Sequence, residues 1–317
     1  MKLKKIKRLA AAGVAMLMTL SLAGCGAGSR SVKLGAAGVG GGYYAFSNAF
    51  AQMAVAADED LEFEVKATAG STANIRLLSD GYIDMAIAQA DLVDAAYNGT
   101  GVTDKKRYRG YSAVASLYTE ACQIVVRADS GIDSLDDLQG KKVSVGEEES
   151  GTQRNAEQIL KMTGLVESLV DTVNLDYVDA ANELKSGQID AFFCTAGIQT
   201  SVIEELSKEC DVKLIGIDDK CRDRLKSVYG FYTDYTIPAG TYEGQDQDVE
   251  TLGVRAVLLA RDDMDEEIVE ELTGLLFEHS QDIQYSIPLT FQIDESEAVK
   301  NVTIPFHDGA KAYYQKK

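Results

Sequence analysis

The chain has 317 residues, 45% of them hydrophobic, which is enough for a sizeable core and, by length, for about two domains, so a disordered tail is excluded. Its formal charge of −19 becomes −24 once the five basic residues of the first 24 positions are set aside. Nucleic acid is excluded as a natural partner at that charge, and an acidic ligand would need a locally positive site against the background.

Lys2, Lys4, Lys5, Lys7 and Arg8 precede an apolar run over 9–22, the pattern of a secretory leader and short for a spanning helix. The run ends in Leu22-Ala23-Gly24-Cys25, which resembles the bacterial lipobox, whose cysteine is acylated and becomes the mature N-terminus. Residues 1–24 are therefore expected to be a lipoprotein signal peptide, Cys25 the lipidation site, and 25–31 a tether holding an extracytoplasmic protein to the cell membrane.

Next comes an apolar strand, Val32-Lys33-Leu34, running into a loop of small residues that ends in Gly40-Gly41-Gly42-Tyr43-Tyr44. The same move recurs at Lys142-Val143-Ser144-Val145-Gly146, which passes through Glu147, Glu148 and Glu149 into Ser150-Gly151-Thr152. A strand-to-helix loop with exposed N–H groups cradles anionic or carbonyl oxygens. Two such cradles suggest two lobes facing one ligand.

Strand-like runs fall at 61–67, 85–90, 123–127, 142–146, 173–178, 190–195, 212–217 and 254–260, with amphipathic stretches at 72–78, 153–162 and 180–186 between them. That alternation predicts α/β architecture with mainly parallel sheets. Ser71 or Thr72 can cap the helix that reaches Leu78, and a short helix is expected around 134–138. Two stretches, 75–86 and 182–192, repeat the order helix, Gly, then an Asp opening an apolar strand, which supports two similar lobes. Pro238 sits in turn chemistry, and 266–278 is an amphipathic helix whose Ile268, Leu272, Leu275 and Leu276 face a core. Cys122 and Cys194 lie in apolar runs as buried thiols, whereas Cys210 and Cys221 flank a strand and can pair or stay free. No Cys/His cluster, dinucleotide fingerprint, phosphate-binding loop or G-x-S-x-G elbow occurs, so neither a cofactor, a metal nor an enzymatic activity is expected.

The residues resemble the TAXI-type solute receptors of tripartite ATP-independent periplasmic (TRAP) transporters. The resemblance rests on Gly40-Gly41-Gly42-Tyr43-Tyr44, Ala67-Thr68-Ala69-Gly70-Ser71 with Asn74, Ile87-Ala88-Gln89-Ala90-Asp91, Leu117-Tyr118-Thr119-Glu120, Ser150-Gly151-Thr152 and the strand ending in Thr195-Ala196-Gly197, in that order. It implies a type II periplasmic-binding-protein fold of two α/β lobes joined by crossover strands, with 32–117 plus about 255–317 in one lobe and about 118–254 in the other. It further implies a small carboxylate ligand, glutamate or a related amino acid, delivered to a TRAP-type membrane permease. Where the chain has Thr119 and Glu147 to Glu149, the family usually has proline or glycine.

In a clamshell receptor the ligand sits where strand ends and helix N-termini of both lobes converge. The expected ligand-binding residues are Gly41, Gly42 and Tyr43; Ser71 and Asn74, which can equally be caps; Gln89, a polar residue ending an apolar strand; and, opposite, Ser150, Gly151, Thr152, Thr195 and Ala196. Arg76, Arg127 and Arg154 are counter-charge candidates but read more simply as surface residues. Glu147 to Glu149 read as a solvated face that borders the cleft and favours a ligand with an ammonium group. The alternative function is a sensor input module of the same fold, coupled to a membrane signalling protein.

Overall fold

The computed structural model describes residues 30–101, 106–166, 168–287 and 292–316; the leader, Cys25 and Pro288 lie outside the described residues. The strands are β1 (Arg30–Gly35), β2 (Leu61–Lys66), β3 (Met85–Gln89), β4 (Tyr111–Arg127), β5 (Lys142–Ser144), β6 (Asp171–Val173), β7 (Ala191–Ala196), β8 (Val212–Leu214), β9 (Thr233–Ile237) and β10 (Val249–Arg261). The helices are α1 (Gly42–Ala57), α2 (Ser71–Ser79), α3 (Ala90–Asn98), α4 (Gly151–Thr163), α5 (Tyr177–Ser186), α6 (Ser201–Glu209), α7 (Asp219–Val228), α8 (Glu266–Glu278), α9 (Ser280–Ser286) and α10 (Asp308–Gln315).

All ten strands belong to one curled sheet in the order β2-β1-β3-β10-β4-β7-β5-β6, with β8 beside β4 and β9 beside β10. Parallel pairing is confined to the two ends, β1 with β2 and β3, and β5 with β6 and β7. The middle is antiparallel, contrary to the expectation of mainly parallel sheets. The reason is the length of β4 and β10, 17 and 13 residues, which lets each serve both halves of the sheet. Residues 111–121 of β4 lie against β10, and 121–126 against β7. The runs read at 123–127 and 254–260 are thus parts of two crossover strands, buried over almost their whole length.

Alternation along the strands sorts the core into layers. Met85 and Ile87 pack with Leu34, Phe46, Phe50, Tyr118 and Leu258, while Ala86 and Ala88 face the opposite layer of Ile75, Leu78, Val257 and Leu259. In the other half Ile124, Val126 and Phe193 face one side, and Val125, Phe192 and Cys194 the other. Cys122, Cys194, Cys210 and Cys221 are all free thiols.

Two local differences from the sequence reading position the site. The strand expected over 173–178 stops at Val173, because the Asp176 carboxylate accepts from the Asp179 N–H at 2.8 Å and starts α5 at Tyr177. Neither Ser71 nor Thr72 caps α2. The cap is Gly70, at φ 118°, a conformation open to glycine, and Ser71 Oγ instead accepts from the Gln89 N–H at 3.1 Å. Ser150 is a true cap of α4, accepting from Gln153 N–H at 2.9 Å.

Candidate functional site

The loops after β1, β2 and β5, and the short connection after β6, each deliver a helix N-terminus to the seam between the two halves of the sheet. Four helices, α1, α2, α4 and α5, begin around one cavity of about 40 Å³, room for about three waters. Gly41, Gly42, Tyr43, Ser71 and Gln89 reach it from one half; Ser150, Gly151, Thr152 and Thr195 reach it from the other. First-turn N–H groups have no intrahelical acceptor. Those of Gly42, Tyr43, Gly151 and Thr152 therefore supply backbone donors at the cavity wall.

Asn74 and Ala196 are not part of this wall. Asn74 is fully buried behind it: its Nδ2 donates to the Ala36 carbonyl and, at 2.8 Å, to that of Ile87, while its Oδ1 accepts from Thr68 Oγ1 at 2.7 Å. Every polar atom of its amide is spent on tying three loops together. Ala196 follows Thr195 in β7 and so points the other way, into the apolar layer with Phe192 and Cys194.

Besides Tyr43 and Glu147, expected at the cleft, the wall holds Glu120, Asp176 and Tyr177, which the sequence did not mark as contact residues. Glu120, 2% exposed, sits where β4 crosses between halves and accepts from Tyr43 Oη at 2.7 Å. Burial pushes its carboxyl up to about 8; the hydrogen bonds from Tyr43 and Gln89 oppose that rise, and Asp91 adds to it. Glu147 and Asp176 also line the cavity, and the Glu147 carboxyl is raised by its partial burial and then by Asp176. Tyr177 closes a small network: its hydroxyl lies 2.6 Å from Thr152 Oγ1 and donates to the Thr195 carbonyl at 3.1 Å, while Thr195 N–H donates to Thr152 Oγ1 at 3.2 Å. The Thr152 hydroxyl thus braces the wall. Among the described residues no lysine, arginine or histidine lines the cavity; Arg76 pairs with Glu149 and Arg127 with Asp129.

Contacts across the seam hold the two halves shut. The Glu149 carbonyl accepts from the Thr72 and Ala73 N–H groups at 3.1 and 3.3 Å, capping α2 from the opposite half. This is possible because Glu149 adopts φ 65°. Its carboxylate meets Arg76 through two hydrogen bonds, of 3.1 and 2.7 Å. Gln89 Nε2 donates to Asn155 Oδ1 at 3.0 Å, and Ser201 Oγ to the Gly40 carbonyl at 3.1 Å. Of the three glutamates read as a solvated face, only Glu148 is exposed. The Arg76–Glu149 pair is more than a third exposed on both sides and adds little by itself; the paired backbone cap holds the seam.

Glu120 makes stability depend on pH. Its folded pKa lies above the unfolded carboxyl value of about 4.3, so its contribution is fully present below that value and is lost as pH rises through about 8. The wild type is expected to lose melting temperature between pH 5 and 8.5 relative to Glu120→Gln, which keeps the shape and a partner for Tyr43. Parallel melting curves across that range would show that the buried carboxyl does not titrate there.

Residues 34–317 match the NMT1-like family. Among solved structures, the chain is similar to MatC from Rhodopseudomonas palustris with bound malate, at TM-score 0.61 and 14% identity over 91% of this chain and 97% of that one. It is similar to a putative L-cystine ABC transporter from Listeria monocytogenes at TM-score 0.51 and 14% identity, over 81% and 94% of the two chains. An ancestral arginine-binding protein bound to arginine gives 0.50 and 18%, over 81% and 96%. The shared feature is the two-lobed α/β fold of periplasmic solute-binding proteins.

Proposed function

The chain belongs to the NMT1-like family, and we propose that it is an extracytoplasmic receptor that captures a small amino acid or related carboxylate by clamshell closure and hands it to a TRAP-type membrane permease. It is a binding protein and not an enzyme. In this reading residues 32–117 with about 255–317 form one jaw, about 118–254 the other, and Cys25 carries the lipid anchor. The observation that carries the proposal is the convergence of helix N-termini from both halves on one cavity, beside buried and half-buried acids.

The magnitudes favour distributed recognition. Micromolar binding needs about −8 kcal/mol, whereas one helix terminus contributes roughly 0.3–2 kcal/mol to an anion and a hydrogen bond to a charged group about 1.5–3 kcal/mol. Several N–H donors for a carboxylate, acids for an ammonium group, and the contacts that form only when the jaws meet together reach that figure. Closure is also the signal, because a permease can distinguish a shut seam from an open one. The solved neighbours are named for malate, L-cystine and arginine, so the fold tolerates ligands of either sign, and the wall chemistry of each chain must select.

The test is a thermal-shift screen of the purified protein against small carboxylates and amino acids. A stabilising ligand at millimolar concentration or below is expected, and Thr152→Ala should weaken it by loosening the Tyr177 and Thr195 brace. No shift with any compound would count against the receptor reading.

A further inference from the structure

We infer that the cleft selects ligands bearing one carboxylate and at least one protonated amine, so that a monocarboxylic amino acid binds and a dicarboxylate is rejected. This narrows the ligand class of the receptor reading above and rests on it.

Among the described residues, three acidic side chains, Glu120, Glu147 and Asp176, line the cavity, and no basic side chain does. Glu147 and Asp176 come from the half opposite to Tyr43 and Ser71, on the rim of the cavity, while Glu120 forms its floor at the strand crossing. A second feature, independent of the acids, points the same way. Gln89 is 2% exposed and lines the cavity, and its Oε1 accepts no hydrogen bond although its Nε2 is satisfied by Asn155. A buried acceptor without a donor calls for a donor from the ligand. An ammonium group supplies three and no acceptor.

Negative charge, by contrast, can be met only by backbone N–H groups and neutral side chains. That supply is limited. Of the first-turn donors, those of Thr72 and Ala73 are taken by the Glu149 carbonyl, that of Gln153 by Ser150 and that of Asp179 by Asp176. What remains, chiefly at Gly42, Tyr43, Gly151 and Thr152, suits one carboxylate. The second carboxylate of glutamate or malate would lie in the same small cavity with the Glu147 and Asp176 carboxylates and beside the Glu120 carboxyl, which burial raises to about 8, with no counter-charge among the described lining residues. Arg76 is turned away into its pair with Glu149 across the seam.

Isosteric pairs isolate the charge. Titration calorimetry of the purified full chain at pH 7.5, over the twenty standard amino acids, malate and the carboxylate-free diamine putrescine, should find binding among the monocarboxylic amino acids. Glutamine and asparagine should each bind at least tenfold more tightly than glutamate and aspartate, and malate should not bind. In the double variant Glu147→Gln, Asp176→Asn the glutamine-to-glutamate ratio should fall at least threefold; asparagine still caps α5, so folding is kept. Glutamate or malate binding as tightly as glutamine overturns the inference and leaves the receptor reading standing. Putrescine binding more tightly than every amino acid overturns the single carboxylate, and an unchanged ratio in the double variant overturns the role of the two rim acids. Binding of none of the compounds by a protein that melts cooperatively overturns the receptor reading and the inference with it.

Discussion

Asn74→Ala should lower the melting temperature by roughly 5–10 °C while changing ligand affinity less than threefold. The amide of Asn74 reaches Ala36 after β1, Thr68 after β2 and Ile87 in β3. It is fully buried, so no water replaces it when it is removed. The Ile87 carbonyl loses this donor at a cost of about 1–3 kcal/mol, whereas the Ala36 carbonyl keeps the Thr68 hydroxyl at 3.1 Å. At about two to four degrees per kcal/mol, that cost spans roughly 2–12 °C and brackets the stated shift. Asn74→Asp is the sharper variant, since it places a carboxylate against carbonyl oxygens and is expected to be worse than alanine. Circular-dichroism melting, paired with calorimetry well below the transition, separates the two roles. An unaltered melting temperature with a tenfold loss of affinity would make Asn74 a ligand residue.

That separation shows where sequence reading stops. The strand-loop-helix cradles were legible because they are local: small residues, a polar cap and an apolar run follow one another in the chain, and Gly41 to Tyr43 and Ser150 to Thr152 did arrive at one cavity. Gln89 was legible as a polar residue at the end of an apolar strand. Asn74 carried the same kind of signal, a polar residue beside a glycine loop, and only its three partners from distant segments distinguish a brace from a contact residue. Ala196 could have been removed by alternation from Thr195. Glu120 was hidden in the middle of a 17-residue strand whose two halves serve different lobes; an acid inside so apolar a run was the available signal. Asp176 and Tyr177 were lost to a strand assignment over 173–178, where an Asp capping its own third neighbour outweighs a short apolar pattern. The turn of Glu149 toward Arg76 has no local signature, because the pair is 73 residues apart and exists only when the seam is shut.

Closure itself is open to a steric test at Gly151. A β-carbon built there would stand 2.5–2.7 Å from the side-chain amide of Gln89 in the opposite jaw, well inside any real contact distance. Its backbone makes no demand for glycine: it is the first residue of α4, after the Ser150 cap, and its φ is not in the left-handed region. The obstruction is therefore felt by the shut seam and not by the folded lobe. Gln89 cannot simply swing aside, because it is 2% exposed and bonded to Asn155. Forcing extra carbon into a packed contact costs about 1–3 kcal/mol, so Gly151→Val should weaken ligand binding roughly 10- to 100-fold. The ligand-free protein should melt within about 2 °C of the wild type, since surface-like changes away from a core stay near ±0.5 kcal/mol. Small-angle scattering supplies the deciding measurement: with saturating ligand the wild type should contract and the variant should keep its open radius. Contraction of the variant to the wild-type radius would mean that the jaws do not meet at Gly151 and Gln89 when they close.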